Sequence, residues 1–262
     1  MNKSAALLFL FLAATSSCST SSPERFRVGI GPGLALTKYH LRQDSPGTRG
    51  TDFFPEDIDA LTTNSAIRVR GSFTLPSWMP IDSELFIDYA KVDASQSVVL
   101  DPTRTWIWDG LNVTSFSSDV SFDRTMLGLL AKSSIQDWLK LRYGFSLRRF
   151  LFDGDIVTDA NAQSFDLEAW WLSPEIGAEI GLPWDWTVDL AYSGFMQGSI
   201  SAGDDIQRPY AASVEIRKRF ENFGLVLGYE LDHMEFERAV GPEIEFAHIR
   251  LRTTYLLVEM SF

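Results

Sequence analysis

The strongest constraint on the fold is an alternation of apolar and polar side chains that recurs from Arg25 to the C-terminus. In residues 67–75, 139–147, 186–192 and 210–216 the apolar side chains occupy every second position. This period is typical of a β-strand with one apolar face, and no stretch keeps the 3.6-residue period of an amphipathic helix long enough to compete. Ten runs of this kind can be counted. The sequence therefore predicts an all-β fold.

The first residues have the features of an export signal. Lys3 precedes the apolar run 5–14, and small polar residues follow up to Cys18. This order predicts a signal peptide over 1–18, a short Ser-rich tether over 19–25, and a folded domain over 26–262. Cys18, the single cysteine of the chain, is a candidate for lipidation; cleavage by the ordinary signal peptidase is the alternative. After the signal no run approaches the ~18 apolar residues of a membrane-spanning helix, so none is expected in the mature chain.

The connections between the ten runs are alternately long and short. The long ones span 43–64, 94–119, 153–163, 198–209 and 239–244, and the short ones span 76–83, 133–137, 183–185 and 220–223. Outer-membrane barrels have this asymmetry, because their periplasmic turns are tight and their external loops are extended. The sequence therefore predicts a ten-stranded antiparallel up-and-down transmembrane β-barrel.

The charged residues divide between the strands and the long connections. The net charge is -12 and most of the acidic excess falls in the long connections, so nucleic acid is not an expected partner. Seven bases and seven acids alternate with apolar residues on the strands, with opposite signs on neighbouring strands. We predict that they form a paired network in the lumen: Arg68, Arg70, Glu84, Asp88, Lys140, Arg142, Glu175, Glu179, Glu215, Arg217, Glu230, Asp232, Arg250 and Arg252.

The C-terminus supports a membrane barrel. Tyr255, Met260 and the terminal Phe262 form an aromatic-ended alternating segment that resembles the assembly signal of bacterial outer-membrane β-barrel proteins. Ile249, Leu251 and Tyr255 are odd-numbered whereas Met260 and Phe262 are even-numbered, so this prediction requires a bulge or a change of face near 255–258. Without the bulge, Arg250 and Arg252 would face lipid at a cost of roughly 2–4 kcal/mol each.

The aromatic residues also fit a membrane barrel. One group of aromatic residues lies at or beside the short connections: Trp78, Trp138, Trp184 and Trp186. A second group lies near the long ones: Trp170, Trp171, Phe150, Phe152 and Tyr210. Amphipathic rings gather at the two membrane interfaces, so the sequence predicts two girdles.

The resemblance implies a location and partners. It places the protein in the outer membrane of a Gram-negative cell, in contact with outer-membrane lipids, lipopolysaccharide and the barrel-assembly machinery. Divalent cations are expected at the acidic loops, a monomer is expected, and no cofactor or metal centre is predicted.

The function follows less directly from the sequence. A charge-paired lumen with acidic external loops indicates a surface-binding or envelope-integrity role. A narrow porin-like solute or ion channel is the first alternative, and an outer-membrane enzyme, omptin-like or lipid A modifying, is the second. No catalytic residues are assigned: Asp232 and His233 are consecutive and so face opposite sides of a strand. His40, His248 and Glu245 can approach one another at strand ends, where a two-histidine metal site is the alternative to the girdle or loop histidines that we expect.

Overall fold

The structure is a computed structural model that describes residues 26–53, 63–75, 82–200, 206–240 and 243–262. The predicted signal peptide, the tether, Cys18 and the predicted girdle residue Trp78 lie outside these residues. Among the described residues, no helix is long and apolar enough to cross a membrane.

The described residues form a closed antiparallel barrel with ten strand positions around its circumference. Its strands are β1 (Phe26–Asp44), β2 (Thr63–Thr74), β3 (Asp82–Val99), β6 (Ser115–Gln136), β7 (Leu139–Thr158), β8 (Ala162–Leu182), β9 (Trp186–Ser193), β10 (Gln197–Ile200), β11 (Ile206–Arg219), β12 (Phe223–Val240) and β13 (Glu243–Ser261). Segments β9 and β10 both pair with β8 and together occupy one of the ten strand positions. The remaining two strands, β4 (Trp106–Trp108) and β5 (Leu111–Val113), form a hairpin in the connection between β3 and β6. Pairing of β1 with β13 closes the cylinder, which confirms the predicted fold.

The strands are longer than a membrane requires. β6 has 22 residues and β8 has 21, whereas a transmembrane strand needs about 9–11. All five predicted long connections include strand residues and are too long: 43–44 (β1), 63–64 (β2), 94–99 (β3), 115–119 (β6), 153–158 (β7), 162–163 (β8), 198–200 (β10), 206–209 (β11), 239–240 (β12) and 243–244 (β13). The barrel wall therefore continues well beyond the bilayer on the side of the long connections.

An apolar band covers the outer wall next to the short turns. On each barrel strand the apolar band extends about ten residues from the short turn. On tilted strands this length matches the ~25 Å apolar height of outer-membrane barrels. Its exposed members include Ile30, Leu34, Ile67, Leu85, Leu127, Leu129, Leu141, Phe145, Leu147, Ile176, Leu190, Val214, Ile216, Leu225, Leu227, Leu256, Val258 and Met260. On β12 and β13 the band ends near Leu231 and Thr254, where the outward residues become polar.

Above the band the apolar side chains lie on the inner wall and the polar side chains on the outer wall. On β6 this reversal occurs although successive residues keep pointing alternately inward and outward without interruption. On β6, Leu127 and Leu129 face outward and Arg124 faces inward; farther along the same strand Phe116 and Phe122 are buried inside. The pairing of β6 with β3 runs without a register shift through this point. The half of the barrel outside the bilayer is therefore built like a water-soluble β-protein, with apolar residues inside and polar residues outside.

The predicted facing of the first half of β13 is wrong. Ile249 and Leu251 are buried in the interior, and Arg250 and Arg252 lie on the outer wall. The register of β13 with β12 is continuous from Glu243 to Met260, so no bulge occurs. The change in sequence pattern reflects the polarity reversal at the membrane boundary. Since the two arginines lie above the apolar band, their outward position carries no cost of burial in lipid.

Several aromatic predictions need the same correction. Phe150, Phe152 and Trp171 are buried inside the barrel, and only Trp170 of that predicted girdle group is strongly exposed. Trp138, Trp184 and Trp186 are exposed near the short turns, as expected of a girdle. Tyr255 lies in the lumen, on the wall opposite to Met260 and Phe262, which are 54% and 58% exposed. Tyr255 is therefore not part of the outward C-terminal pattern.

An aromatic core fills the extracellular half. Phe122 stacks on Phe152 at 5.2 Å, and Phe150 stacks on Phe236 at 5.9 Å from the facing side of the barrel. Phe53, from the connection after β1, stacks on Phe116 at 5.2 Å and is held in place by two backbone hydrogen bonds to Leu41. The β4–β5 hairpin adds Trp106 and Trp108 on top of Phe53. Loop residues thus cover the external end of the core.

Candidate functional site

Below the aromatic core, an ionic lattice fills the barrel. Among the described residues, nine bases and nine acids face the lumen. The bases are Arg27, Arg68, Arg70, Arg124, Lys132, Lys140, Arg142, Arg148 and Arg217, and the acids are Glu84, Asp88, Glu175, Glu179, Asp189, Glu215, Glu230, Asp232 and Glu259. Every member forms at least one ion pair. The lattice is therefore balanced in charge and links strands on different sides of the barrel.

Arg124 lies at the centre of the upper layer. Its guanidinium reaches Asp232 on β12 at 2.5 Å, Glu230 at 2.5 Å and Asp88 on β3 at 3.3 Å. Arg68 donates through Nε and Nη2 to Asp88 and through Nη1 to Glu230 at 2.6 Å. Because β6 and β2 lie across the lumen from β12, these pairs tie opposite sides of the cylinder together.

A tyrosine joins the middle layer. Arg70 donates to Glu215 at 2.7 Å, and the Tyr255 hydroxyl donates to the same carboxylate at 2.6 Å. The guanidinium of Arg68 lies over the Tyr255 ring, 4.0 Å from its centre. This cation–π contact and the hydrogen bond explain why the lumen takes an aromatic residue here.

The layer near the short turns is more open. Arg217 contacts Asp189 at 3.2 Å and Glu259 at 3.0 Å, and Arg27 contacts Glu84 at 2.6 Å. A cavity of about 100 Å³ lies among these groups, which is room for a few water molecules. The upper layer of the lattice and the aromatic core close it on the extracellular side.

The structure brings most of the predicted network together. Twelve of the fourteen predicted residues face the lumen, and Arg250 and Arg252 do not. Pairs such as Arg68 with Asp88 and Lys140 with Glu179 join neighbouring strands, whereas Arg70 reaches Glu215 across the lumen. Sequence reasoning missed six members: Arg27, Arg124, Lys132, Arg148, Asp189 and Glu259. Arg124 and Lys132 were missed because they share their wall with Phe122, Met126 and Leu130.

A second cluster lies on the outer wall, just above the apolar band. The Nε2 atom of His248 is 3.3 Å from the Nδ1 atom of His233, and the Nε2 atom of His233 is 3.5 Å from the Glu235 carboxylate. Burial is the main factor that lowers the pKa of His233, and the Arg250 guanidinium lowers it further. Burial and the neighbouring His233 lower the pKa of His248. Lowering of both pKa values favours the neutral form of the two imidazoles.

The other predicted candidates are placed separately. His40 pairs in register with His248, but its Nε2 atom contacts Asp52 at 3.2 Å. Among the described side chains, the carboxylate in the outer-wall cluster is Glu235, and the side chain of Glu245 lies outside them. Asp232 points into the lumen and His233 points outward, so they do not form a pair.

Comparisons with known proteins give the fold and no more. No protein-family model matches the chain, and no curated protein matches its sequence. Among solved structures, the outer membrane protease OmpT from Escherichia coli matches with 9% identity over 95% of this chain and 100% of its own, with a TM-score of 0.54. The transport unit of the autotransporter AIDA-I from Escherichia coli matches with 9% identity over 99% of this chain and 97% of its own, with a TM-score of 0.46.

The fold and the apolar band define the class of protein. The chain is an integral β-barrel of the bacterial outer membrane. Solved barrels with this type of fold have diverse roles, so the activity of this chain has to be argued from its own residues.

Proposed function

We propose that the protein is a closed, non-conducting outer-membrane barrel that displays a rigid binding surface outside the cell and supports the integrity of the envelope. The observation that carries this proposal is the filled interior. Ion pairs cross the lumen at membrane level, and an aromatic core capped by Phe53, Trp106 and Trp108 occupies the extracellular half. On this proposal the core rigidifies the exposed wall and, among the described residues, obstructs a water path along the barrel axis.

The exposed wall is asymmetric in charge. Outward acids on β6, β7 and β8 face each other directly across the strands, as in the pairs Asp119 with Asp155 and Asp153 with Asp166. On the other side of the barrel the outward residues Lys38 and Arg250 are paired across β1 and β13, and Arg252 lies two residues farther along β13. We call these three residues the basic row. A basic row just above the apolar band suits the phosphates of lipopolysaccharide, and the acidic wall suits cationic partners, including divalent cations.

An enzymatic role is less well supported by the geometry. All three histidines of the chain lie on the outer wall, so none can serve as a base inside the barrel. The extracellular half, where a protease of this shape would need an accessible polar cleft, is filled with buried aromatic and aliphatic side chains. The likeness to OmpT therefore supports a shared fold and not a shared reaction.

Planar-bilayer recording tests the proposal. The purified full-length protein should produce no unitary current steps under conditions in which a porin, inserted as a positive control, conducts. The physical reason is that an ion entering the lumen would have to displace buried ion pairs and then cross an apolar core. Reproducible unitary steps from the wild-type protein would overturn the closed-barrel proposal in favour of a narrow channel.

The same preparation tests the lipid partner. Native mass spectrometry of protein extracted from outer membranes should show bound lipopolysaccharide, and replacement of Arg250 and Arg252 by alanine should reduce it. Equal retention by both proteins would remove the basic row from the proposal.

A further inference from the structure

The outer-wall cluster has the composition of a metal site. We propose that His233, Glu235 and His248 bind a divalent transition-metal ion such as Zn²⁺ just above the apolar band. Each of these residues offers one ligand atom, and the three atoms lie within 4.8 Å of one another. The proposal concerns the outer wall and does not depend on whether the lumen is closed.

The β-sheet places the three side chains together. His233 and Glu235 are two residues apart on β12, which puts both on the outward face. Glu235 pairs directly with His248 on β13, and the β12–β13 ladder continues in both directions without a register shift. On the other edge of β12, the ladder with β11 shifts register between Gln207 and Tyr210. Two paired strands in the middle of a long ladder form a rigid support, as a binding site requires.

The distance between the two imidazoles fits a bound ion. For Zn–N bonds of about 2.0–2.1 Å, two ligands of a tetrahedral ion lie about 3.3–3.4 Å apart. The Nδ1 atom of His233 and the Nε2 atom of His248 are 3.3 Å apart. The nitrogens therefore have the spacing of two ligands. On this proposal the Glu235 side chain, whose ligand atom lies within 4.8 Å of the other two, rotates to supply the third.

The surroundings also bear on the site. The Tyr210 ring stacks on His233 with 4.7 Å between ring centres, which restrains the orientation of the imidazole. Two imidazoles and a carboxylate are ligands that suit Zn²⁺, and they leave a fourth position for water or an outside donor. Arg250 is paired with His233 across β12 and β13, and its positive charge repels a bound cation. The carboxylate of Glu235 offsets that charge.

Calorimetric titration with Zn²⁺ tests the site. Full-length protein in detergent, first freed of metal with a chelator, should bind one ion per chain. Loss of an outer-shell group already weakens metal sites about 10–100-fold, so His233→Ala and His248→Ala should each lower the affinity at least ~10-fold. Glu235→Gln should weaken binding as well. Arg250→Gln should strengthen it roughly threefold, because a neighbouring positive charge is removed.

His40→Ala is the matched control. His40 is also outward and pairs with His248 across β1 and β13, but its Nε2 atom contacts Asp52. This variant should bind Zn²⁺ with wild-type affinity. Heat-modifiable mobility on gels checks that each variant is folded, which we expect because all these side chains lie outside the apolar band. The proposal is overturned if wild-type protein binds no zinc, if the three ligand variants bind like wild type, or if His40→Ala alone abolishes binding.

Discussion

Replacing Arg124 by methionine should destabilise the barrel by about 3 to 5 kcal/mol, the usual result of removing one partner from a buried ion pair. Arg124 is almost fully buried and contacts Asp232, Glu230 and Asp88. Asp88 and Glu230 keep Arg68 as a partner, whereas Asp232 keeps only a 3.8 Å contact with Arg148. The loss can be measured as a shift in urea unfolding, followed by tryptophan fluorescence and by heat-modifiable mobility in detergent.

Two further variants separate the ionic effect from general damage. Arg149→Met removes a neighbouring outward arginine whose pair with Glu168 is about one-third exposed, so its cost should be ~0–1 kcal/mol. The double variant Arg124→Met with Asp232→Leu removes both charges and should regain much of the loss, because apolar replacement of a buried pair is often neutral. Equal destabilisation by Arg124→Met and Arg149→Met would contradict the buried lattice.

Replacing Phe150 by alanine should cost about 3 to 5 kcal/mol, as expected for a large side chain removed from a packed core. The Phe150 ring is fully buried between Phe122, at 6.2 Å, and Phe236, at 5.9 Å. Since the loops that cap the barrel rest on the same core, we expect the extracellular half to loosen first. Urea unfolding, combined with limited proteolysis of the external connections, measures both effects.

The next residue provides the control for this variant. Leu151 follows Phe150 on β7 and lies on the outer wall above the apolar band, only partly buried. Leu151→Ala should cost at most ~1 kcal/mol. A larger loss for Leu151→Ala than for Phe150→Ala would mean that the inner and outer walls of β7 are reversed.

The barrel itself could be predicted from the sequence because alternation is a local property of each strand. The runs around Ile67, Leu141 and Val188 show an apolar outer wall without interruption, since those segments lie within the apolar band. The ends of β3 and β7 were placed too early, at 94 and 153, because the apolar face changes side near those points. An interpretation that allows only one apolar face per strand ends the strand where the apolar face changes side and assigns the following residues to a loop.

The same assumption produced the error on β13. Ile249 and Leu251 look like a phase change relative to Val258 and Met260, but the backbone phase is constant and the solvent on the outer wall changes from lipid to water. Arg124 was missed for a related reason, because its neighbours on the inner wall are apolar. The cluster of His233, Glu235 and His248 depends on the register between β12 and β13, which alternation alone does not specify. The spacing of His233 and Glu235 was the available local signal.

The central claim is that strands such as β6 and β13 keep a continuous register while the environment of the outer wall changes from lipid to water. Cysteine labelling along β13 tests it most directly. In a Cys18→Ser background, single cysteines at Ile249, Arg252, Leu256 and Val258 would be reacted, in lipid vesicles, with a membrane-impermeant maleimide supplied on both sides. The account predicts rapid labelling at 252 and protection at 256 and 258 by lipid and at 249 by the aromatic core. Rapid labelling at 249 with protection at 252 would contradict it.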